Sequence, residues 1–152
     1  MKNFKILVLI SLIQVTGCMT QASLTLYSQP EGAYITEKDT GTSFGMSPAV
    51  IVYDPANLSR YRNSEGCYVV NGVQAKWVSG AYTEMETVKL CGRNYGDYNI
   101  TISRDPSLPG LDKDMKFALE VQSIRAQQQQ AQAARDAAAI QLWSICAQSN
   151  QA

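Results

Sequence analysis

The segment Arg104-Asp105-Pro106-Ser107-Leu108-Pro109-Gly110 constrains this chain of 152 residues most, because it separates two unlike kinds of sequence. Its prolines lack the N–H that a β ladder requires, so strand pairing ends there. Upstream, turn residues recur roughly every eight to twelve positions, the spacing of a sandwich or small barrel. Residues 24–28 alternate, with Leu24, Leu26 and Ser28 on one side and Thr25 and Tyr27 on the other. A turn at Gln29-Pro30-Glu31-Gly32 leads to a strand at 33–36, and Lys38-Asp39-Thr40-Gly41 and Gly45-Met46-Ser47-Pro48 are further breaks. Residues 49–53 are apolar and β-branched, which predicts a buried strand. Residues 54–66 read as an irregular polar loop. Further strands are expected at 67–73, 75–79, 85–90 and 98–102.

From Leu111 the spacing is helical. Leu111, Met115, Ala118, Leu119 and Gln122 share a side, Val121 and Ile124 widen the stripe, and Asp112 is placed to cap the start. Residues 126–139 are almost wholly Ala and Gln, strong helix formers with little apolar surface to bury. That stretch is expected to stand off the domain as a helix, or to fray in isolation. Ile140, Leu142, Trp143 and Ile145 end it as an apolar cluster. The expected fold class is mainly β: a small disulfide-bearing β-sandwich over 24–110, a C-terminal α-helix over 111–147, and a disordered end at 148–152.

The amino terminus reads as an address. Lys2 and Lys5 precede an apolar core from Ile6 to Ile13, shorter than the roughly 20 residues of a transmembrane helix. Val15-Thr16-Gly17-Cys18 closes it with small residues before a cysteine. These four residues resemble the lipobox of bacterial lipoproteins, with Val15 where Leu is commoner. The resemblance implies a signal peptide at 1–17, diacylglycerol on the Cys18 thiol, an amide-linked acyl chain such as palmitate, and a tether over 18–23. Met19 in place of Asp implies sorting to the outer membrane, facing the periplasm. The competing reading is an ordinary cleaved signal peptide with a coincidental cysteine.

In an oxidising periplasm nearby thiols pair. With Cys18 assigned to lipid, Cys67 and Cys91 each flank a β-like run and sit beside Gly66 and Gly92, which suits a bridge between strand ends. Cys146 is left in the helix, reduced or bridged to another molecule.

Ser28-Gln29-Pro30-Glu31-Gly32-Ala33-Tyr34-Ile35 resembles the opening of the PEGA domain, and Gly45 and Ser47-Pro48 match the Gly and Ser/Thr-Pro that follow in that family. The resemblance runs from about Leu24 to Tyr53 and lapses after Asp54. It implies a β-sandwich start and an extracytoplasmic binding or scaffolding role, with no catalytic residues.

The chain has no His, which removes the commonest general base and metal ligand. Without the signal peptide it holds 11 basic and 13 acidic groups, a net charge of −2 with no basic stripe, so nucleic acid is an unsuitable partner. Glu84 and Glu86, two apart on a strand, read as a solvated face rather than an acid–base pair. Ser79-Gly80-Ala81 reads as a turn, and Lys76 and Lys89 as surface charges. No cofactor, metal or catalytic set is expected. Eight tyrosines and Trp77 can line a sugar- or protein-binding face, although for any single one a half-buried place on a strand face is the favoured reading. The candidate partner-binding residues are Trp143, Leu142, Ile145 and Trp77. The reading is a non-catalytic, lipid-anchored module that binds envelope proteins or peptidoglycan and self-associates through its helix. The alternative is a periplasmic inhibitor of a cell-wall hydrolase, because Ser79-Gly80-Ala81-Tyr82 faintly resembles the Ser-Gly loop of small β lipoproteins that inhibit lysozyme.

Overall fold

A computed structural model of the chain describes residues 21–92 and 96–149, with side chains through residue 141. It is mainly β, with two sheets, one long C-terminal helix and a disulfide between Cys67 and Cys91. In the first sheet β1 (Ala22–Gln29) lies between β4 (Ala49–Tyr53), antiparallel, and β7 (Asp97–Ser103), parallel. The second sheet runs in the order β3 (Ser43–Met46), β2 (Tyr34–Glu37), β5 (Tyr68–Lys76), β6 (Tyr82–Leu90), all antiparallel. Parallel pairing of β1 with β7 requires a long crossover, and the rest of the domain supplies it.

Alternation builds the core. Leu24 and Leu26 of β1, Ile35 of β2, Val73 and Ala75 of β5, Val88 and Leu90 of β6 and Ile102 of β7 all point between the sheets and are buried. Strand direction gives the domain two ends. At the entry end β1 begins at Ala22, beside Tyr53, and β4 stops. The Cys67–Cys91 bridge lies at the same end, joining the residue before β5 to the residue after β6, with a Cα–Cα distance of 4.2 Å. Closing this loop stabilises the domain by roughly 3 kcal/mol in the chain-entropy account. At the opposite end β1, β3, β5 and β7 finish, and there the long helix begins.

Several expectations need correction. Residues 49–53 form a strand with the expected bounds, yet it is an edge strand, and Val50 and Val52 on its outer face are 59 % and 56 % exposed. The break around Gly45 lies within β3, whose Gly45 pairs with Ile35. The runs at 67–73 and 75–79 give one strand, β5, which ends at Lys76, and residues 77–79 belong to the turn that follows. The polar loop at 54–66 holds a short helix, α1 (Pro55–Leu58), followed by a 3-10 turn at Ser59–Tyr61. The Asp54 carboxylate caps α1 by accepting from the Ala56 N–H at 2.9 Å, and Leu58 turns into the core. The long helix, α2, spans Leu111–Ser149 and so includes two residues of the expected disordered end. Asp112 lies inside its first turn rather than at the cap.

Candidate functional site

The end of the domain opposite Ala22 is built to hold α2. Asp114, in the helix's first turn, is buried, and its carboxylate collects three bonds. Oδ1 accepts from the Ser79 N–H at 2.8 Å, and Oδ2 from the Ser79 hydroxyl at 2.7 Å and from Arg104 Nε at 2.6 Å. Arg104 and Asp114 side chains are 1 % and 0 % exposed. Burying two charges is costly unless the remaining donors are also satisfied. The loop 104–110 does this by curling round the guanidinium. Nη1 donates to the Asp105 carbonyl at 2.8 Å, and Nη2 donates to those of Leu108 at 3.0 Å and Pro109 at 2.5 Å. The segment that stops strand pairing therefore also cradles the cation.

One to three turns further on, α2 crosses the β1–β2 turn. Gly32 adopts φ +93°, and a Cβ there would lie 3.1 Å from Phe117 Cε1 and 3.3 Å from Val121 Cγ2. Glycine thus allows both the turn and the close approach of the helix. Arg125 pairs with the Glu31 carboxylate and donates through Nη2 to the Ser47 carbonyl at 2.5 Å. Beneath, the turn is braced from the core. Trp77 Nε1 and the Ser28 hydroxyl each donate to the Pro30 carbonyl at 2.8 Å, and Ser28 Oγ accepts from the Ala33 N–H at 3.1 Å and bonds to the Ser47 hydroxyl.

The clamp runs from Asp114 to Arg125, about 17 Å of a helix about 58 Å long. Residues 126–141 are exposed throughout, Ile140 at 70 %. The remaining stretch to Ser149 extends past its last clamped residue by about 36 Å. This arrangement fixes the direction of an exposed rod relative to the domain.

Trp77 is 3 % exposed and belongs to the core, so its ring is not on a binding face. Leu142, Trp143 and Ile145 lie on the overhanging helix, but their side chains, like that of Cys146, are outside the described ones. Cys18 is outside the described residues. Glu84 and Glu86 are exposed, and they are engaged by Gln74 at 2.6 Å and by Lys38. Ser79 serves the helix junction, and Lys89 lies 3.9 Å from Glu65. Sequence reasoning missed Arg104, Asp114 and Arg125. Their charge partners are ten or more residues away, so no local signal singles them out. Among the described residues no helix is long and apolar enough to cross a membrane, and no group of three His, Cys, Asp or Glu is placed to hold a metal. No family model, curated protein or solved structure matches the chain.

Proposed function

We propose that this chain is a non-catalytic, lipid-anchored protein of the bacterial outer membrane that faces the periplasm and holds out α2 as a rod for binding envelope partners. The observation that carries this reading is the junction: a buried ion pair and a braced turn fix one third of a helix whose next stretch, residues 126–141, is exposed throughout. A helix that served only the domain's own stability would end near Arg125. The ends of the sandwich support the same reading. The anchor suggested by Cys18 leads into β1 at Ala22, and the helix starts where β1 finishes, about 25 Å away along the strand. Anchor and rod are thereby kept apart. The resemblance of Ser28–Ile35 to the PEGA opening also accords with a scaffolding role, and here that turn is the seat of the helix.

Deletion of residues 126–152 is expected to leave the β domain folded and disulfide-bonded while abolishing partner capture from crosslinked envelopes, read by mass spectrometry of the captured proteins. A folded deletion variant that captures the same set as the full chain contradicts the proposal. So does capture of a single soluble hydrolase by both forms, which points to the inhibitor reading instead.

A further inference from the structure

Between the two sheets, at the entry end, lies a cavity of about 280 Å³. This is near the lower bound of roughly 300 Å³ for small-molecule sites, which are typically apolar with a few convergent polar groups. Phe44 of β3, Ile51 and Tyr53 of β4, Leu58 of α1 and Val73 of β5 line it. Two carboxylates, Glu37 and Asp54, also line it, and among the described residues no Lys or Arg does.

Both acids are held in place. Glu37 Oε1 accepts from Asn71 Nδ2 at 2.6 Å, and its other oxygen accepts from the Thr40 hydroxyl. These bonds, Thr40's first, keep the Glu37 carboxyl below its usual range, so it is ionised at neutral pH. Asp54 is fixed by its capping bond to Ala56 and by Asn57 Nδ2 at 3.3 Å. Burial, with a smaller contribution from the Glu37 charge, pushes the Tyr53 hydroxyl up to about 12, so it remains a neutral donor. The cavity therefore offers an apolar, partly aromatic interior beside two carboxylates that no cationic side chain among the described lining residues balances. A neutral apolar ligand leaves those charges unused, and an anion is repelled by both.

We propose that this cavity binds a small organic cation, with an apolar body the size of one aromatic ring between the sheets and an ammonium head at Glu37 and Asp54. The aromatic walls favour the same sign of charge, because a cation is attracted to the face of an aromatic ring. The site is separate from the helix junction, since none of its lining residues takes part in the bonds that clamp α2.

The test is calorimetric titration of the full chain, in nanodiscs of neutral lipid, with phenethylamine and with 3-phenylpropionate, empty nanodiscs serving as blank. Phenethylamine is expected to bind at a single site, and 3-phenylpropionate, with the same ring and the opposite charge, is expected not to bind. Glu37→Gln and Asp54→Asn should each weaken amine binding about fivefold, the effect of one unit charge a few ångströms away in a hydrated setting. Asn retains the helix-capping oxygen at position 54, so that variant keeps its fold. Absence of amine binding, equal binding of both probes, or an affinity unchanged by both substitutions overturns the proposal.

Discussion

Asp114→Ala is expected to lower the unfolding free energy by about 3–5 kcal/mol, because it leaves the Arg104 guanidinium buried without its counter-charge. For a β domain of this size that corresponds to a fall in melting temperature of at least about 12 °C. The loss exceeds that of an ordinary surface pair because neither side chain reaches water in the folded state. Truncation also removes the acceptor for the Ser79 N–H and hydroxyl, so the β5–β6 turn loses its tie to α2. Asp112→Ala, two residues earlier on the exposed side of the same turn, is the control and should change stability by no more than about 0.5 kcal/mol. Replacing both partners, Arg104→Met with Asp114→Leu, should recover most of the loss, since a buried pair often contributes little beyond an apolar packing of similar volume. Urea unfolding of the three variants checks this. A single Asp114→Ala variant as stable as the parent shows that the pair is not buried in solution.

Trp77→Ala is expected to cost about 3–5 kcal/mol, the range for removing a large aromatic side chain from a packed core. The loss has two parts. The ring fills the interior where β5 meets the braced turn, and its Nε1 supplies one of the two bonds to the Pro30 carbonyl. Trp77→Phe separates them: it keeps an aromatic ring and deletes the N–H, so its cost should be intermediate. Because Pro30 belongs to the turn that seats the helix, Trp77→Ala should also raise protease cleavage within the clamped stretch 114–125. Denaturant unfolding and limited proteolysis read both effects. A Trp77→Ala protein of unchanged stability with impaired partner capture would restore the surface-binding role that burial takes from this residue.

Much of the β architecture is legible in the sequence, for reasons that also explain the errors. The alternation of Leu24, Leu26 and Ser28 identifies β1's inner face, because a half-buried strand exposes every second residue. The same rule, continued through Val73 and Ala75, places Trp77 inward, and that signal was available to correct its assignment to a binding face. The edge strand β4 shows the converse limit. Val50 and Val52 look as buried as Ala49 and Ile51, since periodicity is silent when both faces are apolar. Gly45 reads as a break, yet an edge strand such as β3 tolerates it at φ +90°. The cysteine pair could be assigned from flanking strands because those strands are neighbours in the chain. The Arg104–Asp114–Ser79 cluster could not be. Arg104 ends a strand, Asp114 resembles any acidic residue in a first helical turn, and Ser79 reads as a turn residue; only their convergence in space gives them a common role. The cavity at the entry end was hidden likewise, since its residues come from β2, β3, β4, β5 and the capped segment between β4 and β5.

The proposed lipid anchor on Cys18 is tested most directly by intact mass spectrometry of the amino-terminal peptide of protein purified from envelope membranes. A peptide beginning at Cys18 and carrying diacylglycerol, with or without a further acyl chain, is the predicted result. A mature protein that begins elsewhere, or that has an unmodified Cys18 thiol, contradicts it.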